Sequence, residues 1–197
     1  MFQTNSLGDK KICEILREGG VGVLPTDTLY GIVGSALRPE TVQQIYRLRK
    51  RNLKKPMIIL ISSLSDLKKF GIVIAPFARR VLGKVWPGKV SVVLSCPRKQ
   101  FLYLHRGKKS LAFRMPAKPD LGWLLKKTGP LVAPSANLEG VPPAMTIQEA
   151  KKYFNETIDF YVDGGRKESL QSTLIEIEGS NVFLRRMGAA LLNLPSL

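Results

Sequence analysis

The segment VGVLPTDTLYG, residues 21–31, places a polar turn directly after a short apolar run. Residues 21–25 predict a buried β-strand. The side chains of Thr26, Asp27 and Thr28 favour a turn held by hydrogen bonds from side chain to backbone. Such a turn is by itself common local structure, so its meaning depends on the elements around it.

Predicted helices lie on both sides of this strand. Ser6 and Asp9 predict a capping box at the start of an amphipathic helix, which ends at Gly19. A second helix is predicted to begin near Pro39, a residue that suits the first turn of a helix. The pattern over residues 76–86 predicts a third helix.

The rest of the chain contains apolar runs that predict strands. Helices are predicted near residues 119–127 and after a second capping box, formed by Thr146 and Glu149. Because strands and helices alternate early and strands follow one another late, we predict an α/β fold with a twisted mixed sheet flanked by helices, in one domain over residues 1–197. The predicted strands cover residues 56–62, 90–95, 111–115, 131–134, 158–162, 172–177 and 181–186.

Length and composition set the class of protein. The chain has 197 residues, 44% of them hydrophobic, which suits one domain with a sizeable core rather than two. No apolar run approaches the roughly 20 residues that a membrane span needs, and the first residues lack the apolar stretch of a signal peptide. We therefore expect a cytoplasmic protein without membrane contact, with Cys13 and Cys96 as reduced, buried thiols.

The positive charge is concentrated in the middle of the chain. The net charge is +16, yet residues 38–127 carry 22 basic and three acidic side chains, a net charge of +19. Such a segment attracts phosphates, whether they belong to a nucleotide or to a nucleic acid. Many of its lysines are expected simply to keep the surface soluble.

Several well-known catalytic patterns do not occur. The sequence has no G-x-x-x-x-G-K-[ST] phosphate loop, no GxGxxG, no HExxH and no CxxC. The single histidine, His105, lies in a predicted basic loop, where we expect a surface position. These observations argue against metal-centred hydrolysis and against Ser-His-Asp catalysis, and we expect no metal site.

Short polar motifs remain at the predicted strand ends, and each alone is typical of an ordinary loop. In their order and spacing they resemble the YrdC-like family of L-threonylcarbamoyladenylate synthases in its single-domain form, over about residues 7 to 189. The motifs are PTDTLYG (25–31), Arg49-Lys50-Arg51, Trp86-Pro87-Gly88, Arg114-Met115-Pro116, PSAN (134–137), Ser172-Thr173 and Arg186-Met187-Gly188.

This resemblance implies a reaction and its partners. L-Threonine, bicarbonate and ATP would give threonylcarbamoyl-AMP and pyrophosphate in a basic concave groove, as the precursor of a tRNA modification. A downstream tRNA threonylcarbamoyl transferase would consume the product, and a contact with tRNA itself stays open. ATP would bring Mg²⁺ on its phosphates, and no permanent cofactor is expected.

The resemblance also implies residue roles. Thr28, Arg114, Ser135 and Ser172 match positions expected to contact threonine. Arg51, Ser135 and Asn137 are the expected catalytic residues. The expected ATP contacts are Arg49, Lys50, Arg51, Lys55, Ser110, Asn137 and Arg186.

Three positions depart from the family pattern. Arg49 stands where the family has lysine, Leu60 where some members have histidine, and Ser91 where threonine is usual. Two alternatives therefore stay open: a divergent paralogue with another substrate, and an RNA-binding module. The second is weakened by an aromatic content of only 8%, with no aromatic residues interleaved among the basic ones.

Overall fold

The computed structural model describes residues 1–192, so the last five residues of the predicted domain, 193–197, lie outside the described residues. Strands and helices alternate over most of this range. In chain order the described elements are β1 (Phe2–Thr4), α1 (Lys10–Glu18), β2 (Gly22–Pro25), β3 (Tyr30–Ser35), α2 (Pro39–Leu48), β4 (Ile59–Leu60), a 3-10 helix (Leu64–Phe70), α3 (Pro76–Val85), β5 (Val90–Ser95), a 3-10 turn (Lys99–Phe101), α4 (Leu102–His105), β6 (Ser110–Arg114), α5 (Pro119–Thr128), β7 (Leu131–Val132), α6 (Ile147–Phe154), β8 (Phe160–Val162), β9 (Thr173–Glu178) and β10 (Asn181–Arg186).

All ten of these strands form one mixed sheet, in the order β1-β8-β2-β3-β7-β4-β6-β5-β9-β10. Strands β1, β8 and β2 are parallel, as are β4 with β6 and β5 with β9, whereas the other neighbouring pairs are antiparallel. The predicted mixed α/β sheet is therefore confirmed. Strand β8, which comes late in the chain, lies between β1 and β2.

Helices cover both faces of the sheet and divide the core in two. Alternate residues of a strand point to opposite faces, so Val23 belongs to the larger cluster and Leu24 to the smaller one. Helices α2, α3, α4 and α6 contribute to the larger cluster, and α1 and α5 contribute to the smaller. The smaller layer has only two helices, and this leaves part of its face uncovered.

The helix ends show which local signals were correct. Gly19 ends α1 with a φ of 99°, and Pro39 begins α2, both as predicted. Thr146 caps α6 by accepting from the backbone N–H of Glu149 at 3.2 Å. The prediction of a capping box at Ser6 was wrong, because Asp9 caps α1 through the backbone N–H of Lys11.

Other expectations need correction. His105 is buried and not on the surface as predicted. Its Nε2 lies 3.3 Å from the carbonyl of Arg98, and its Nδ1 accepts from the backbone N–H of Gly107. Within the predicted strand at 56–62, only Ile59–Leu60 forms a strand. Cys13 and Cys96 are buried free thiols, as expected. Within residues 1–192, no helix is long and apolar enough to cross a bilayer.

Candidate active site

A cleft of about 840 Å³ occupies the uncovered part of the smaller layer. Its floor is built from one face of the sheet, because the lining residues of β6 alternate as Ser110, Ala112 and Arg114. The intervening Leu111 and Phe113 point into the larger core cluster on the opposite face.

Loops at the strand ends form the walls. The turn after β2 contributes Thr26 and Thr28, and the loop after β7 contributes Ser135. The segment after α2 contributes eight of the ten residues from 49 to 58. A single backbone bridge between Gly31 and Ser135 keeps the PTDTLYG and PSAN motifs side by side. Two motifs that are more than 100 residues apart in sequence thus share one wall of the cleft.

The lining is strongly positive. It contains seven cationic side chains and one carboxylate, that of Glu176. Clefts lined by one sign of charge concentrate ligands of the opposite sign. The cations are Arg49, Arg51, Lys54, Lys55, Lys108, Arg114 and Arg186.

Arg114 is held by the turn after β2. Its Nη1 donates to Asp27 Oδ1 at 2.6 Å and lies 3.3 Å from Thr28 Oγ1. Burial lowers the pKa of Arg114, Asp27 opposes that shift, and the nearby Arg186 adds to it. The side chain therefore presents a fixed guanidinium at the end of β6.

Arg49 is held by the PSAN loop. Its Nε donates to the carbonyl of Asn137 at 3.0 Å, and its Nη2 donates to Asn137 Oδ1 at 2.9 Å and Ser135 Oγ at 3.4 Å. Burial, with a smaller contribution from Arg51, lowers the pKa of Arg49 to about 10. The group thus remains a cation at neutral pH.

Arg186 completes the set from the end of β10. Its Nη2 donates to the carbonyl of Ser172 at 2.8 Å, and burial lowers its pKa. The hydroxyl of Ser172 lies 2.8 Å from that of Ser91. Ser91 stands where the family usually has threonine. Its hydroxyl therefore contacts Ser172, which is one of the residues predicted to bind the substrate threonine.

Each of these three arginines keeps one buried nitrogen without a partner among the described residues. The atoms are Arg49 Nη1, Arg114 Nε and Arg186 Nε. A buried N–H without a hydrogen bond costs roughly 1–3 kcal/mol, so native structures seldom keep one without a reason. A fourth atom of this kind, Arg106 Nε, lies outside the cleft lining. Three of the four therefore belong to the lining of one positive cleft, where an anionic ligand would find unused hydrogen-bond donors.

An exposed loop forms the outer rim. Arg51 donates to the backbone carbonyls of Lys55 and Pro56 at 3.2 and 2.9 Å. The ammonium of Lys55 is 2.6 Å from Glu139, whose carboxylate also accepts from the backbone N–H of Asn52. Glu139 thus ties the rim to the end of the PSAN loop.

Most of the residues expected at the site are brought together. Two of them do not line the cleft: Lys50 is exposed, and Asn137 is buried behind Arg49 with its amide nitrogen bound to the carbonyls of Leu138 and Val141. Leu60 is fully buried in the smaller core cluster. The residues that line the cleft as expected are Thr28, Arg49, Arg51, Lys55, Ser110, Arg114, Ser135, Ser172 and Arg186.

Sequence reasoning gave no role to two acidic residues, Asp27 and Glu139. Each is bonded to a cation of the cleft, Asp27 to Arg114 and Glu139 to Lys55. The sequence contained one sign of this, because each carboxylate lies within two residues of a predicted site motif residue in a strongly basic chain. No group of three or more histidine, cysteine, aspartate or glutamate residues within 1–192 is arranged to hold a metal ion.

Comparison with known proteins agrees with this arrangement. The family model Sua5_yciO_yrdC, described as telomere recombination, matches residues 14–188. The chain belongs to this family. A putative threonylcarbamoyl-AMP synthase of Methanocaldococcus jannaschii is 28% identical over 193 residues, which cover 95% of this chain and 91% of that protein.

Two longer relatives add further detail. The threonylcarbamoyl-AMP synthase of Bacillus subtilis is 31% identical over 166 residues. The match covers 83% of this chain and about half (48%) of that protein. The crystal structure of P. abyssi Sua5 complexed with L-threonine superimposes with a TM-score of 0.86 at 27% identity. That match covers 95% of this chain and 58% of Sua5.

Proposed function

We propose that this protein condenses L-threonine, bicarbonate and ATP into threonylcarbamoyl-AMP and pyrophosphate. The observation that carries the proposal is the set of three arginines around one cleft, Arg49, Arg114 and Arg186, each with one buried side-chain nitrogen that has no partner among the described residues. A reaction that gathers an amino acid, bicarbonate and a triphosphate needs such fixed cations, because the reactants repel one another. Relatives named threonylcarbamoyl-AMP synthase support it.

Threonine is assigned to the part of the cleft around Arg114. Arg114 is the carboxylate ligand, since a planar guanidinium can bind a carboxylate through two parallel hydrogen bonds. Thr28, Ser135 and Ser172 supply hydroxyl groups for the substrate hydroxyl and the carbamate. The bound L-threonine in the related Sua5 structure supports an amino-acid site in this fold.

ATP is assigned to the remaining cations. Arg49, Arg51 and Arg186 would contact its phosphates, with Lys55 and Ser110 nearer the opening. ATP enters with Mg²⁺ held by its own phosphates and water, so the ion arrives as part of the substrate. Asn137 would act through Arg49 and Ser135, to which it is bonded.

The proposed chemistry has two steps. The threonine amine and bicarbonate give a carbamate and water. A carbamate oxygen then attacks the α-phosphorus of ATP, and the bond to the pyrophosphate oxygen breaks. Such a transfer needs positioning and charge stabilisation rather than a protein nucleophile, which suits a cleft lined by guanidinium and hydroxyl groups.

The wider setting is part of the same proposal. The whole chain, 1–197, would act as one domain in the cytoplasm. A tRNA threonylcarbamoyl transferase would take the product, and tRNA itself is a possible direct contact.

The test is a labelling experiment. The purified protein is incubated with ATP, labelled bicarbonate and one amino acid at a time. We expect a labelled adenylate and pyrophosphate only when threonine and bicarbonate are both present. Arg114→Ala controls for contaminating ATPase, and Lys152→Ala, an exposed lysine away from the cleft, should match the unmodified protein. Pyrophosphate release that does not depend on threonine would refute the proposal.

The two alternatives give different outcomes in this experiment. A divergent paralogue would form an adenylate with another amino acid in place of threonine. An RNA-binding module would form no adenylate and would retard RNA in a gel instead.

A further inference from the structure

Asp27 lies behind the cleft rather than in its lining. It precedes Thr28 in the turn after β2, and the lining includes Thr26, Thr28 and Leu29 but not Asp27. Its carboxylate is bonded to Arg114 at 2.6 Å, and the two side chains are only 7% and 5% exposed. Any effect of Asp27 on a ligand must therefore pass through another residue.

The carboxylate is fixed on two sides. Oδ1 accepts from Arg114 Nη1, and Oδ2 accepts from the backbone N–H of Ala117 at 3.2 Å. Ala117 follows the end of β6, so Asp27 connects the turn after β2 with the chain after β6. A group held at both oxygens has little freedom to rotate, which makes it a rigid support.

This support decides which part of Arg114 is available. The planar guanidinium has two edges, and Nη1 is already used by Asp27, with Thr28 Oγ1 3.3 Å away. Nε belongs to the other edge, is buried and has no partner among the described residues. That edge, formed by Nε and Nη2, matches the two oxygens of a carboxylate.

We propose that Asp27 is a positioning residue for the substrate carboxylate: it holds Arg114 by Nη1, so that the Nε–Nη2 edge faces the amino-acid subsite. This inference rests on the proposed function for the identity of the ligand, an α-amino acid. Asp27 contacts no substrate and takes part in no bond change.

The charge of Asp27 matters as well as its shape. A buried guanidinium without a counter-ion is strongly disfavoured, and Arg186 lies close enough to disfavour it further. Asp27 offsets the charge of Arg114 without using its ligand edge. Binding then depends on two directed hydrogen bonds rather than on net charge, which selects a planar carboxylate.

The experiment compares two ligands on matched variants. Calorimetric titration measures the affinities of L-threonine and of L-threoninol, in which a primary alcohol replaces the carboxylate. For Asp27→Asn, which keeps the size of the side chain, we expect threonine to bind about tenfold more weakly, as for the loss of one charged hydrogen-bond partner. The affinity for threoninol should stay within about twofold, because it makes no carboxylate contact.

Three further variants separate position from charge and from stability. Asp27→Glu keeps the charge but moves the carboxylate, so it should retain the melting temperature better than Asp27→Asn without restoring threonine affinity. In an Arg114→Ala background, Asp27→Asn should cause no further loss of threonine affinity. Asp66→Asn, which alters a buried carboxylate paired with Lys69 and absent from the cleft lining, should lower stability and leave the ratio of the two affinities unchanged.

The outcomes are distinct. Wild-type affinity for threonine in Asp27→Asn would overturn the inference, and so would an equal loss for threonine and threoninol, which would indicate a structural role. If Asp27→Asn does not fold, Asp27→Glu gives the same comparison. If the unmodified protein binds no threonine, or Arg114→Ala binds it normally, the proposed function or its carboxylate assignment fails instead.

Discussion

The cleft contains two kinds of cation, and they differ in how firmly they are held. The inner arginines, Arg49 and Arg114, are buried, at 2% and 4% exposure, and each is bonded to residues from another part of the chain. Three lysines of the lining, Lys54 and Lys55 in the rim loop and Lys108 after α4, are exposed, and the side chain of Lys55 is 60% exposed. These three are called the rim lysines. One region fixes direction, and the other supplies charge.

The difference in burial assigns different tasks. A buried, bonded guanidinium is already oriented, so it can stabilise a transition state without reorganising. An exposed ammonium is screened by water and salt, and its effect is mainly on the rate at which anions arrive. Substitutions that keep the charge should therefore disrupt the inner arginines and leave the rim lysines almost unaffected.

The largest expected effect is that of Arg114→Lys. Lysine keeps the charge but cannot bind Asp27 and a carboxylate through two edges at once. We expect kcat/KM for threonine to fall about a hundredfold, as when a charged, directed contact is lost. Steady-state pyrophosphate release at varied threonine measures it. A loss of less than about threefold would mean that the inner arginines, like the rim lysines, act through their charge alone.

The position of Arg114 could be predicted from sequence, but its partner could not. The resemblance placed Arg114 among the residues expected to contact threonine. The bond to Asp27 joins residues 87 positions apart. A local turn pattern gives no information about such a contact, because side-chain pairing across a sheet depends on strand order.

The second prediction compares two buried arginines. Arg49→Lys should reduce kcat/KM for ATP by about tenfold, because one ammonium cannot replace the Nε and Nη2 contacts to Asn137 and Ser135. The effect should be smaller than at Arg114, since the family pattern has lysine at this position. Lys50→Ala is the control. Lys50 is exposed and outside the cleft lining, so its loss should leave ATP kinetics unchanged.

Much of the fold followed from short-range patterns. The apolar periodicity of α2 and the valine-rich segment VSVVLS of β5 both gave elements at the predicted places. Strand β3 was not predicted, and its sequence YGIVGS contains two glycines, which weaken a strand pattern. Gly34 is needed there, because a Cβ at that position would lie 2.4 Å from the side chain of Thr41 in α2.

Long-range pairing was beyond the sequence patterns. Strand β1 has three residues and pairs with β8 at the other end of the chain, from Phe2 with Phe160 to Thr4 with Val162. His105 was expected at the surface because its neighbours are basic. Its ring instead lies at the end of α4, among the backbone groups of Arg98 and Gly107, a contact that composition does not reveal.

The third prediction concerns the rim. Lys55→Ala should weaken ATP binding by only about threefold, because an exposed ion pair contributes little. Lys55→Arg should bind ATP as the unmodified protein does, in contrast to the charge-preserving change at Arg114. Titration of ATP in the absence of threonine gives both values. If Lys55→Arg lost affinity as strongly as Lys55→Ala, the rim would require an ammonium of defined position, and the distinction between the two regions would fail.

The smallest expected effect is that of salt. Raising the NaCl concentration from about 50 to about 300 mM shortens the screening length to well under 10 Å, so it should weaken the long-range attraction of the rim for ATP. We expect kcat/KM for ATP to fall by about twofold to threefold. Threonine affinity should stay nearly constant, because threonine is a zwitterion and Asp27 offsets the charge of Arg114. The double variant Lys54→Ala and Lys108→Ala should begin with a lower value and show a weaker salt dependence. An equal salt dependence in the double variant would place the steering charge elsewhere in the basic segment, 38–127.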